Sequence, residues 1–326
     1  MTTKFQRTLT TKEFWLNNIV YIVMALAFIL VAITNPMAIS KNNIISLFTQ
    51  SCTMVLVGIG ITMCILTRGI DLSVGSTMYV SAVVAYKTME AFENLPVGVV
   101  IMVVLAFGLL IGLINGLLVA TLKVYALLPT LATMYILRGI GLSLASSETN
   151  QMPMKWAVII GTRWLGVPAY IFISFGLAII AQIFLNRTDL GRRIYATGDN
   201  EKMAIEKGVN VFNIKLFVYG MSGLMAGLAG VLASAMFMAS AYTIGEAFEF
   251  KVITAAVLGG VSLNGGRGTI APGLMLGALI LAFISNQLVL LKANTYSYDI
   301  VFAIVIFIVV LLDTIRIRSE ENISAI

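Results

Sequence analysis

Residues 97–121 read VGVVIMVVLAFGLLIGLINGLLVAT, a stretch without one charge whose only hydrogen-bonding side chains are Asn115 and Thr121. As an α-helix it would rise about 37 Å, enough to cross the roughly 30 Å of hydrocarbon in a bilayer. A surface helix of a soluble protein keeps a polar face, and this one has none. Working outward, further apolar runs occur at 15–34, 44–67, 72–88, 126–145, 166–185, 213–237, 250–263, 270–291 and 298–314. The pattern predicts an all-α polytopic membrane helix bundle of about ten transmembrane helices, built as one transmembrane domain over residues 1–326. The third run starts directly after Arg68-Gly69-Ile70-Asp71, and the eighth ends at Asn264-Gly265-Gly266-Arg267-Gly268. Both are candidates for broken or re-entrant helices.

Composition agrees with a chain that lives in lipid. Hydrophobic residues make up 59% of the 326 and charged ones only 11%, against about a quarter charged in a soluble domain. There is no histidine, which excludes a histidine-ligated metal and any triad that depends on imidazole. Cys52 and Cys64 lie twelve positions apart in one apolar run, about 18 Å along a helix and too far for a disulfide. The net charge of +6 follows from basic residues gathered in cytoplasmic loops, without a nucleic-acid partner. Lys4, Arg7, Lys12, Arg68, Arg187, Arg192, Arg193 and Arg267 all fall on one side of the alternating helices. That bias puts both termini in the cytoplasm. The first apolar run is too long for a signal-peptide core and is expected to stay as a helix. The largest polar segment, about 186–215, is cytoplasmic in this topology and contains a short helical stretch from Asp199 to Lys207.

The motifs say as much by omission as by presence. No G-x-x-x-x-G-K-[ST] phosphate loop occurs, and Gly-Lys is absent altogether. Any ATP is therefore hydrolysed on another chain, and no cofactor is expected in this one. Glycines recur at four-residue spacing as Gly108, Gly112 and Gly116, as Gly223 and Gly227, and as Gly273 and Gly277. Such faces let helices approach closely, here within the chain rather than between copies. Ionisable groups at membrane depth cost about 2.5–3.5 kcal/mol on insertion scales unless paired or wet. Asp71 leads them, either bridging a helix break with Arg68 or contacting solute; Arg138, Asp299 and Asp313 are the others. Ser73, Asn115, Thr130, Thr133, Tyr135, Ser143, Asn286 and Gln287 supply uncharged hydrogen-bonding groups. The candidates for a translocation path are Asp71, Ser73, Asn115, Arg138 and Asn286. A wet, uncharged path suits a neutral sugar, although the same side chains also bond helix to helix. These readings lead to a transporter. One alternative is an ion-coupled secondary transporter with Asp71 or Asp299 as its carboxylate; an integral membrane enzyme finds no reaction centre here.

Five stretches then carry a resemblance: ILTRGIDLSVGS (65–76), TMYILRGI (133–140), LGRRIYATGDN (190–200), SGLMAGLAG (222–230) and AAVLGGVSLNGGRG (255–268). In order and spacing the chain resembles the ribose-type sugar permeases of bacterial ABC importers over about residues 40–315. The resemblance implies an inner-membrane permease subunit, multi-pass and without enzymatic activity of its own. Its implied partners are a second permease subunit, identical or paralogous, a cytoplasmic ABC ATPase that carries ATP-Mg, and a periplasmic sugar-binding protein. It further implies that Gly198 to Gly208 is the ATPase-coupling segment, with Gly198, Asp199, Asn200, Glu201, Ala204 and Gly208 at the contact. Met203-Ala204 and Lys207 depart from the small pair and the serine common in that family. Selectivity in such importers resides largely in the binding protein, so ribose, another pentose, a hexose and a furanone-type signal all remain open.

Overall fold

The computed structural model describes residues 36–122, 124–145, 147–294, 298, 300–309, 311 and 314. The helix expected over 15–34, both termini, Asp299 and Asp313 lie outside the described residues. By internal contacts the chain divides into two units, residues 1–48 and 49–326. The described part of the first is a 3-10 turn, Pro36–Ile39, with Asn43 Nδ2 donating to the Ala38 carbonyl at 2.9 Å, and the start of helix α1.

Eleven helices of a full turn and a half or more follow among the described residues. They are α1 (Lys41–Leu66), α2 (Val74–Ala91), α3 (Val97–Leu122), α4 (Leu127–Leu144), α5 (Ala169–Arg187) and α6 (Asp189–Asp199). Then come α7 (Glu201–Glu206), α8 (Val211–Phe237), α9 (Phe248–Leu258), α10 (Met275–Leu290) and α11 (Ile300–Val309). Six of them, with α10 extended back to Ile270, are long and apolar enough to cross a membrane: α1, α3, α4, α5, α8 and α10. Of the ten expected runs, that at 15–34 lies outside the described residues, and two others fall short for physical reasons. Helix α2 interrupts its apolar run with Ser76, Thr77, Ser81, Lys87 and Glu90 and is wrapped by protein. Helix α9, at 11 residues, rises only about 16 Å and cannot span. The last run is described only as Ile300–Val309.

Two helices show how the membrane-spanning segments divide their work. Of the apolar window of α8, 72% lies inside the protein, against 22% for α3. Helix α8 is thus the central post and α3 presents most of its surface outward. The two pack through their glycines. A methyl group on Gly223 would lie 2.1 Å from the Gly108 carbonyl oxygen, and one on Gly112 would lie 2.2 Å from that of Tyr219. In lipid, where apolar burial drives little association, this contact of backbone on backbone holds the pair. The same device joins α9 to α10, with Gly277 against the Ala255 carbonyl and Gly273 against Gly259. The glycine stripes serve intrachain packing, as their spacing suggested.

The helix ends are joined differently at the two ends of the bundle. At one end Leu66, Arg68, Gly198 and Gly266 meet; the Gly266 amide donates to the Leu66 carbonyl at 3.0 Å. At the other, strand β1 (Thr149–Gln151) pairs antiparallel with β4 (Ala239–Ala241), Asn150 opposite Ser240. Trp156, fully buried, donates its indole N–H to Ser234 Oγ at 3.1 Å and fastens the α4–α5 connection to α8. A tight hairpin, β2 (Arg163–Trp164) to β3 (Val167–Pro168), turns through Leu165 and Gly166 at φ 53° and 78°. After β4 the chain does not stay at this end. It doubles back beside α2, setting Tyr242 edge-on to Tyr79 with ring centroids 5.5 Å apart and Gly245 against Gly75, before α9 begins.

Candidate translocation path and coupling surface

Helix α1 ends where Arg68 takes a left-handed conformation, φ 59°, and the Gly69 amide folds back onto the Cys64 carbonyl at 2.9 Å. The chain then crosses from Gly69 to Ser73 without helical structure and enters α2. Asp71 lies in that break, fully buried. Its Oδ1 accepts the Ser73 amide at 3.0 Å and the Ser73 hydroxyl at 2.7 Å, while Oδ2 accepts the Ser222 hydroxyl of α8 at 2.8 Å. Asn115 Nδ2 of α3 donates to Ser73 Oγ at 2.8 Å, and Thr133 Oγ1 of α4 donates to Asn115 Oδ1 at 2.7 Å. One buried chain of hydrogen bonds therefore ties α2, α3, α4 and α8 together at the break. A carboxylate just ahead of α2 also sits where the helix dipole favours negative charge. Three of the sequence candidates, Asp71, Ser73 and Asn115, are brought into direct contact.

The expected bridge between Arg68 and Asp71 is not formed. Arg68 instead sends Nε to the Gly198 carbonyl at 2.6 Å and Nη2 to the Asp199 carbonyl at 2.7 Å. Its left-handed backbone is the reason. A three-residue spacing aligns side chains only inside a helix, and here the helix has already ended. Arg68 thus faces the polar segment rather than the core.

That segment consists of two short helices. Thr188 caps α6 by accepting the Gly191 amide at 3.0 Å, and Asn200 caps α7 by accepting the Met203 amide at 3.0 Å. Gly198 is pressed so closely on the end of α1 that a methyl group there would fall 1.7 Å from the Leu66 carbonyl oxygen. Asp199 packs on Gly266. Glu201 forms a salt bridge with Lys215 of α8 at 3.1 Å, and Ala204 faces inward at 3% exposure. Gly208 closes the segment with φ 81°. On the outer face Lys202, Met203, Ile205, Glu206 and Lys207 are all exposed. Between this segment, the α1–α2 break and Tyr125 lies an open cavity of about 1040 Å³ lined also by Arg68, Glu201, Lys215 and Tyr219.

The remaining candidates lie elsewhere. Arg138 is five residues beyond Thr133 on α4, about 7 Å further along. It donates to the Tyr242 carbonyl at 2.6 Å and its guanidinium lies 5.3 Å and 5.2 Å from the ring centres of Tyr79 and Tyr242. Asn286 is buried on α10, a helix that packs chiefly on α9, and accepts from Gln287 Nε2 at 3.3 Å. Sequence reasoning missed Ser222 and also Tyr219, whose hydroxyl donates to the Ile70 carbonyl at 3.4 Å, as partners of the break. Their hydroxyls stand on the faces of α8 adjoining its glycine stripe, and that placement was the available signal. It also missed Gln182, whose Oε1 accepts the Ile270 amide at 2.6 Å and caps the α10 entrance.

The chain is similar to known proteins in sequence. The family described as branched-chain amino acid transport system / permease component matches residues 43–311. The ribose import permease protein RbsC of Haemophilus influenzae is 37% identical over 300 residues, 90% of this chain and 91% of that one. The autoinducer 2 import system permease protein LsrC of Photorhabdus luminescens is 34% identical over 298 residues, 91% of this chain and 89% of that one. The RbsC of Bacillus subtilis is 36% identical, covering 87% and 88% of the two chains. No solved structure matches.

Proposed function

The chain belongs to the branched-chain amino acid transport system / permease component family, and from that membership we propose that it forms the translocation path of an ABC importer for a sugar or sugar-like solute. It is a multi-pass membrane protein and a transporter component rather than an enzyme. The solute class is supported by relatives whose names specify ribose and autoinducer 2 import, each matched over about nine-tenths of this chain. In this reading the end that carries Arg68, Gly198 and Gly266 is cytoplasmic, in the bacterial inner membrane, as the basic-residue bias requires. A separate ATPase carrying ATP-Mg docks on the exposed face of α7. A periplasmic binding protein delivers solute at the opposite end, and a second permease subunit completes the path.

The single observation that carries the coupling is the clasp between Arg68 and the carbonyls of Gly198 and Asp199. Through it, a push on α6 and α7 reaches the α1–α2 break directly. From there the Asp71 chain distributes the movement over four helices. Packed elements of this kind shift as rigid bodies rather than deforming. Reconstituting the complex in lipid vesicles tests the reading: solute should enter only when ATP is supplied on the α7 side. Uptake by this chain alone, driven by an ion gradient, would contradict it.

A further inference from the structure

The limb from Tyr242 to Glu249 sits at an unexpected depth. Asp71 bonds Ser222, and Met78 O lies 2.5 Å from where a Cβ of Gly230 would stand, so Gly75 is level with residues 222–230 of α8. Counted from Val211, that interval lies about 16–28 Å along a helix of about 40 Å. Gly245 touches Gly75 at this level: its carbonyl oxygen lies 2.2 Å from where a Cβ of Gly75 would stand. The chain has therefore returned from the far end of α8 to its middle, in non-helical conformation, with Gly245 at φ 70° and Ala247 at φ 51°.

Side chains of the limb point two ways. Ile244, Gly245 and Glu249 are buried against the protein, whereas Thr243, Glu246 and Ala247 are exposed. Among the described residues Glu246 accepts no side-chain hydrogen bond, and it lies within electrostatic reach of Arg138. Irregular backbone at mid-membrane depth is tolerated only inside protein or along water. A carboxylate there is likewise unsustainable against hydrocarbon. Lipid is thus ruled out as the neighbour of the exposed edge.

We infer that the re-entrant limb Tyr242–Glu249 lines the aqueous translocation path at mid-membrane, and that Thr243 and Glu246 are the residues a passing solute meets. The inference rests on the importer reading and adds to it a location. The Thr243 hydroxyl can donate and accept, and the Glu246 carboxylate accepts, so a hydroxyl-bearing solute finds a partner for each face of its hydrogen-bonding groups. Arg138, clasped between Tyr79 and Tyr242, holds the limb at this depth and acts as a positioning residue.

Single cysteines at Thr243 and at Glu246, in a Cys52→Ala, Cys64→Ala background, test this with a charged, membrane-impermeant methanethiosulfonate reagent. Leu110→Cys is the comparison, since Leu110 is exposed at the midpoint of the outward face of α3. A thiol reacts as its thiolate and needs water to ionise, so Thr243→Cys and Glu246→Cys should label about tenfold or more faster than Leu110→Cys. Their labelling should also stop import while ATP hydrolysis by the assembled complex continues. Labelling as slow as at Leu110→Cys overturns the assignment, and so does fast labelling that leaves import unchanged. Import by the cysteine-free complex is measured first. If ATP drives none, the importer reading fails; if it drives import and the limb does not label, only this inference fails.

Discussion

Replacing Asp71 by alanine removes the acceptor of three buried hydrogen bonds, from the Ser73 amide, the Ser73 hydroxyl and the Ser222 hydroxyl. A buried donor left without a partner costs about 1–3 kcal/mol. The amide cannot turn away and carries that cost in full, while each hydroxyl can rotate toward a nearby carbonyl and carries about 1 kcal/mol. The sum is about 3–5 kcal/mol. Asp71→Asn keeps one oxygen for both Ser73 bonds and offers an N–H that the Ser222 hydroxyl can accept, so its cost is about 1 kcal/mol. At about 2 °C per kcal/mol for a chain of this length, alanine should lower the melting temperature by about 6–10 °C and asparagine by about 2 °C. Detergent-purified protein, heated and scored for the fraction that stays monodisperse, gives both values. Equal melting of the two variants would refute the argument that this carboxylate anchors four helices.

Two further substitutions and a control probe the clasp and the packing. Arg68→Ala removes two charge-assisted bonds, one of them at an exposed position, together worth about 2 kcal/mol. The solute moved per ATP hydrolysed should fall by about tenfold or more while the chain still inserts and assembles, as read by uptake and phosphate release in the same vesicles; an unchanged ratio would remove Arg68 from the coupling route. Gly223→Ala places a methyl group against the Gly108 backbone and should cost about 1–3 kcal/mol or more through overpacking, visible as a lowered melting temperature. Gly176→Ala, with open space around it, should melt like the parent.

The parts of this fold legible in the sequence are those that depend on single helices. Residues 97–121 announced a spanning helix because no charge interrupts them, and the glycine spacing on α3 and α8 announced which faces would touch. Asp71, Ser73 and Asn115 could each be singled out as polar groups at depth. Their mutual contact could not, because Asn115 is 42 positions from Ser73 and the packing of α3 on α2 and α8 brings them together. The break at Arg68-Gly69-Ile70-Asp71 was legible, but the direction of the Arg68 side chain was not, because the helix stops at Leu66 and its partners, the carbonyls of Gly198 and Asp199, lie 130 positions or more away in sequence. The limb from Tyr242 to Glu249 falls in the gap between the apolar runs 213–237 and 250–263. Its depth is set by tertiary contacts with Gly75 and Tyr79, which periodicity does not record.

ATP-driven import by the reconstituted complex is the most direct test of the importer function. Vesicles that hold the chain with its ATPase subunit, supplied outside with a binding protein loaded with its labelled solute, are measured with and without ATP on the α7 side. The account predicts accumulation that requires ATP on that side and is absent when the ATPase subunit is omitted. Accumulation by the chain alone, set by an imposed proton or sodium gradient and indifferent to ATP, would contradict it.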